Sequence, residues 1–250
     1  MSLYDTLMDY QRQLNDVRTQ LNNTARVDRS QTFGKNGWLE IFDGLWTYAS
    51  ATTITVPTGA ASIYAVGDQI RLKQGGAYKY CSVTTVADAL LTVTGGTDYT
   101  VANAAITDAA FSKGGGVGHP VWYNYTSITW TCTTSGTIVF TTTQCRFSVV
   151  GRKLTIVGTF VYSSRSSPVG RLTLTKSSLP VAPANLTSKY MIVGDFKYND
   201  FGGSNDCTGM FIAQSGTDLE MYIDGINNGY VNSAWFAASD GVFVKLEYEI

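Results

Sequence analysis

Histidine is almost absent from this 250-residue chain, in which His119 stands alone. That removes most histidine-based acid–base and metal chemistry at once. Proline is sparse, with five residues, and charge is thin, at 15% of the chain with a net of −1. A net charge so near zero argues against binding to nucleic acid or an anionic membrane, which wants a basic face. No apolar run approaches the ~18–20 residues of a membrane-spanning helix. The start, Met1-Ser2-Leu3-Tyr4-Asp5, has neither the cationic opening nor the apolar stretch of a signal peptide. The four cysteines, Cys81, Cys132, Cys145 and Cys207, form no C-x-x-C pair, so a structural zinc is not expected. Cys132 and Cys145 could face each other across a hairpin; with no export signal they read as reduced, small buried strand residues.

What is abundant is Thr, Gly, Tyr, Val and Ser, the composition of a soluble β protein with two-sided strands. The first two dozen residues are different. Leu3, Leu7, Tyr10, Leu14, Val17, Leu21 and Thr24 recur at alternating steps of four and three. That is a heptad seam, with Leu7, Leu14 and Leu21 at a and the others at d. Polar residues from Gln11 to Gln20 supply the solvated back. Such a helix is marginal alone in water and needs a partner. The narrow stripe favours self-association over packing on its own β domain, and leucine at a leans away from a dimer, so a parallel homotrimer is expected.

From Trp38 the apolar period becomes two. Trp38–Phe42 and Leu45–Ala49 flank Asp43-Gly44, a strong hairpin signal. Strands are then expected at 53–56, 69–73, 78–86 and 90–94, enough for a small barrel or sandwich. The run 112–121 is glycine-dense and reads as a linker. Beyond it, eight or nine alternating segments, among them 127–132, 137–142, 144–150, 153–162, 172–174, 190–196, 208–213, 219–223 and 242–249, suggest a two-sheet, jelly-roll-like sandwich. The expected division is therefore an attachment helix at 1–24, a first β domain at 25–111, a linker at 112–121 and a C-terminal β-sandwich at 122–250. The fold class is mainly β behind a short coiled coil.

Catalytic signals are weak. Asp218 with Glu220, and Glu247 with Glu249, are carboxylate pairs two residues apart on one strand face, as glycoside hydrolysis could use; a solvated outer strand face is the favoured reading of both. Asp195, Asp200, Asp206 and Asp224 lie near Asn/Gly-rich loops but lack the order of a calcium loop. His119 has no acidic neighbour in sequence, and Gly114–Gly118 lacks the ending of a phosphate loop. No catalytic residue, metal or cofactor is therefore expected. Two loop runs hold more promise. Tyr198, Asn199, Asp200 and Phe201 in one, and Asn227, Asn228, Tyr230 and Trp235 in the other, interleave aromatic rings with short polar groups. That mixture suits a glycan or a protein surface, and ordinary tip loops share it.

Two stretches carry a family resemblance. Trp46-Thr47-Tyr48-Ala49-Ser50-Ala51-Thr52-Thr53, Val66-Gly67-Asp68-Gln69-Ile70-Arg71, Thr92-Val93-Thr94-Gly95-Gly96 and Trp122-Tyr123-Asn124-Tyr125 together resemble a segment recurring in minor structural and tail-fibre proteins of tailed bacteriophages. Cys145–Phe160, with Val149-Val150-Gly151-Arg152-Lys153-Leu154 at its turn, looks like a hairpin of the C-terminal trimeric β domains of such fibres. Trp235–Leu246 is similar to their final strand. The resemblance implies a virion structural protein, a short homotrimeric tail or head fibre that works by binding. Its partners would be its own copies, other virion proteins through the N-terminal region, and a host-surface glycan or receptor, with no nucleic acid and no membrane insertion. It would be assembled in the host bacterial cytoplasm and reside on the virion. The alternatives are a capsid decoration (cement) protein and, more distantly, a polysaccharide depolymerase fibre.

Overall fold

A computed structural model describes residues 13–15, 36–132, 138–166, 171–183, 191–199, 207–213, 218–222, 237 and 240–250. The described residues are mainly β, in two hydrogen-bonded sheets. The first holds β1 (Leu39–Ile41), β2 (Thr47–Ser50), β3 (Thr53–Thr55), β4 (Gln69–Gln74), β5 (Ala77–Ala87), β6 (Leu90–Thr94) and β7 (Thr107–Ser112), in the order β1-β7-β4-β5-β6-β3-β2. All of its pairings are antiparallel. β4 shows why the sequence forms it: Ile70 and Leu72 point inward and are fully buried, while Gln69, Arg71 and Lys73 alternate outward.

The outermost strands of this sheet, β1 and β2, are joined by only five residues, 42–46. Six Cα steps reach at most about 20–22 Å, whereas the edges of a flat seven-stranded sheet stand ~29 Å apart. The sheet must therefore curl, and its contents agree. Leu39 and Ile41 from one edge and Tyr48 from the other pack against the same buried cluster, which includes Trp46, Ile54, Ile70, Leu72, Val83 and Leu91. The Asp43-Gly44 hairpin expected from the sequence does not form. β1 pairs with β7 and β2 with β3, so this turn crosses the seam of a curled sheet.

The second sheet contains β8 (Tyr123–Asn124), β9 (Trp130–Cys132), β10 (Ile138–Val150), β11 (Lys153–Arg165), β12 (Leu172–Thr175), β13 (Met191–Asn199), β14 (Cys207–Ala213), β15 (Asp218–Tyr222) and β16 (Gly241–Glu249). Its order is β8-β10-β11-β16-β13-β14-β15-β12-β9, a single hydrogen-bonded ladder. Here too the edge strands are joined by five residues, 125–129, against about 38 Å between the edges of a flat nine-stranded sheet. Trp130 on β9 meets Phe140 on β10 and Phe160 on β11, at ring separations of 4.9 and 5.2 Å. The curled sheet thus wraps one core containing Phe147, Leu154, Ile156, Phe160, Phe196, Phe211 and Leu246. β10 runs through both of the segments expected at 137–142 and 144–150, because a register shift between Thr142 and Gln144 takes up the odd residue.

Candidate functional site

The two sheets meet at a polar–aromatic junction. Tyr123 opens the second sheet and is 1% exposed. Its ring stacks on Phe147 at 5.2 Å and stands edge-on to His119 at 5.7 Å and Tyr99 at 6.4 Å. His119 Nε2 lies 2.8 Å from the Tyr123 hydroxyl and 3.2 Å from the Cys81 carbonyl. With the hydrogen on Nε2 the ring donates to the Cys81 carbonyl and the phenol's own hydrogen is left for Ser82 Oγ at 3.4 Å; with it on Nδ1, Nε2 accepts from the Tyr123 hydroxyl. Burial lowers the His119 pKa from its ordinary value, with the Cys81 and Pro120 carbonyls pulling the other way. Burial also raises that of Tyr123, keeping the phenol protonated. Close by, Asn124 receives Thr97 N–H on its carbonyl at 2.9 Å, and both Asp98 carboxylate oxygens accept from Asn124. Gly67, at φ +89°, brings the first sheet's backbone against Gly151, where any Cβ would collide with the Gly151 carbonyl.

The glycine-dense run 112–121 is packed along this junction. Gly116 N–H donates to Gln69 Oε1 at 3.0 Å, Val117 N–H to the Asn36 carbonyl at 2.9 Å, and the Trp38 indole to the Val117 carbonyl at 2.9 Å. The Gly116 backbone lies so near the Trp38 indole that a Cβ would not fit.

A second cluster sits on the seam of the first sheet. Between Arg71 and Lys73, β7 carries one extra residue, a bulge centred on Asp108. Asp108 is the one non-glycine residue with positive φ (+48°) among the described residues. Such backbone costs on the order of 1 kcal/mol and persists only when neighbours fix it. They do: its N–H donates to Asp43 Oδ1 at 2.8 Å, and its carboxylate accepts from Arg71 at 3.2 Å and from the Tyr78 hydroxyl. That carboxylate raises the Tyr78 pKa. Arg71 also faces Glu40 at 3.7 Å and lies over the Trp38 and Tyr78 rings. Beside this cluster, a cleft of about 440 Å³ opens between the β1–β2 turn and the 103–107 loop.

The residues singled out from the sequence are placed unevenly. Of the heptad seam, Leu3, Leu7, Tyr10, Val17 and Leu21 lie outside the described residues. Leu14 is on helical backbone and 69% exposed. Asp200, Phe201, Asn227, Asn228, Tyr230 and Trp235 also lie outside them, and Asn199 ends β13. Tyr198 is not a surface ring. It is 1% exposed in β13 and donates a 2.6 Å hydrogen bond to Asp240 Oδ2, which also accepts from Ala237 N–H. Strand alternation explains it: Phe196 and Tyr198 share the inward face, while Asp195 and Lys197 are exposed.

One carboxylate of each pair is held by a neighbour. Glu220 is buried and meets Arg171 at 3.3 Å, while Glu247 contacts Lys153 at 2.7 Å and Lys245 at 3.4 Å. The Lys153 hydrogen bond lowers the Glu247 pKa. Cys81 and Cys145 are free, buried thiols pushed up to about 12 by desolvation. Among the described residues, no group of three or more His, Cys, Asp or Glu is placed to hold a metal, and no helix is long and apolar enough to cross a membrane. The sequence reading did not single out Arg71, Tyr78 or Asp108, whose meeting depends on a bulge that no local motif announces. No family model, curated protein or solved structure matches the chain.

Proposed function

We propose that the chain is a structural protein of a bacteriophage virion, a short homotrimeric fibre that works by binding rather than by making or breaking bonds. The observation that carries this reading is Leu14. It is an a-position leucine on helical backbone that the chain's own β sheets leave 69% exposed. A heptad a-position leucine left uncovered is what a parallel coil would bury between copies. The β10–β11 hairpin supports the reading as well. Its turn, Val150-Gly151-Arg152-Lys153, has Gly151 at φ +57°, and this is the stretch that resembles fibre C-terminal domains. In this reading residues 1–24 form a trimeric coil that docks on the particle, the first sheet is a small barrel, and the C-terminal unit is a jelly-roll-like domain. The loops at 199–201 and 227–235 then present the contact surface for a host receptor.

The test is immunogold labelling of purified virions with an antibody to the C-terminal unit. Discrete gold on projecting fibres, at head or tail, is expected. Uniform labelling lying flat over the capsid shell would favour a cement protein, and unlabelled particles would remove the virion assignment.

A further inference from the structure

The cleft on the seam of the first sheet has the makings of a ligand site independent of the fibre reading. Its volume, about 440 Å³, lies in the range of small-molecule sites. One wall is the β1–β2 turn, contributing Asp43, Thr47 and Tyr48; the other is the loop carrying Asn103. Both walls are fixed in place. Gln74, itself 3% exposed, holds the loop through hydrogen bonds to the Ala102 carbonyl at 2.8 Å, the Ala104 carbonyl at 3.0 Å and the Ala102 N–H at 2.9 Å. Asp43 Oδ1 clamps the turn to the bulge through the Asp108 N–H. Binding to so fixed a frame costs little ordering.

The groups facing this cleft have hydrogen-bonding capacity to spare. Among the described residues, Asp43 Oδ2, the Thr47 hydroxyl, the Tyr48 hydroxyl and the Asn103 amide have no protein partner. Buried Trp46 and Ile106 form an apolar floor, Tyr48 supplies a half-buried ring, and Phe42 stands 85% exposed on the same turn. A ring to cover C–H groups, a carboxylate and an amide to take hydroxyls, and no cation lining the cleft together define the complement. We infer that this cleft binds an uncharged pyranoside, its hydroxyls hydrogen-bonded to Asp43 and Asn103 and its C–H face against Tyr48. Asp43 would repel an acidic sugar. The threonine-lined groove between the sheets, at Thr84, Thr92 and Thr94, has neither an aromatic ring nor a charged side chain and lacks this complement.

The experiment titrates the full chain with the methyl glycosides of glucose, galactose, mannose and N-acetylglucosamine, and with glucuronic acid. Saturation-transfer NMR and calorimetry provide the readouts. Contacts of this number give a Kd of order 1 mM, so titration to about 50 mM suffices. At least one neutral glycoside is expected to bind, with glucuronic acid weaker. Asp43→Asn keeps the oxygen that accepts the Asp108 N–H and removes the charge, and should weaken binding by about tenfold, as should Tyr48→Ala. Asn103→Ala, at an exposed position, provides the same test if Tyr48→Ala fails to fold, and Thr94→Ala in the other groove should change nothing. Absence of binding by every neutral glycoside, or binding that survives both Asp43→Asn and Asn103→Ala, overturns the inference. Neither result bears on whether the chain is trimeric.

Discussion

Removing the Tyr123 side chain should loosen the joint between the two sheets. The ring is fully buried in the second sheet's core, and its hydroxyl reaches His119 and Ser82 on the first sheet's side. Truncation to alanine forfeits the stack on Phe147 and leaves a cavity, a loss of about 3–5 kcal/mol for a buried aromatic residue. Tyr123→Phe keeps the ring and removes only the hydroxyl, taking one hydrogen-bond contact each from Ser82 and from His119 Nε2, which keeps the Cys81 carbonyl, for about 1–2 kcal/mol. In a chain of this length each kcal/mol moves the melting temperature by about 2–4 °C. Calorimetry should therefore show a drop of several degrees for Tyr123→Phe and ten or more for Tyr123→Ala. The alanine variant should also split the endotherm, since the sheets then lose their shared side chain. A shift under about 2 °C for Tyr123→Ala, with a single unaltered transition, would refute the reasoning.

Four further outcomes follow. Burial keeps His119 below its ordinary pKa of 6.5 in the folded protein, so between that lower value and pH 6.5 the unfolded chain binds more protons than the native one. The His119 contribution should be flat above about pH 7 and fall as pH drops through 6.5, and denaturant melts of His119→Gln below pH 7 should lose that slope. Cys81 and Cys145, buried and pushed up to about 12, should resist iodoacetamide in the native protein and react once it is unfolded, as peptide mass spectrometry would read. Because Cys145 is free, a reductant should leave the melting temperature unchanged; a fall of several degrees would indicate a bridge. Leu14→Asp would set three like charges about one axis, and virions carrying it should lose this protein; a normal load would place the attachment elsewhere.

The strands were legible where the alternation was clean. Gln69–Gln74, Leu90–Thr94 and Gly241–Glu249 lie close to where period-two patterning put them, because each buries one face. β7 was not legible. Thr-Asp-Ala-Ala-Phe-Ser has little strand propensity, and it becomes a strand because β1 and β4 pair with its two sides and bury Ala109 and Ala110. Asp43-Gly44 misled for a related reason. Local turn chemistry says that the chain reverses, and only the sheet's curl decides which strands pair. Tyr198 read as a loop residue because β13 extends past Phe196, where its alternation runs into an Asn/Gly-rich stretch. The seam cleft was beyond sequence reasoning altogether, since Asp43 and Asn103 lie sixty residues apart and meet through Asp108 and Gln74.

The central claim is that the heptad seam containing Leu14 assembles three copies. Native mass spectrometry of the purified full chain at micromolar concentration tests it most directly. The account predicts a species at three times the 27.1 kDa chain mass for the native sequence, and its loss or weakening in Leu14→Asp. A single-chain mass for the native protein under those conditions would contradict it.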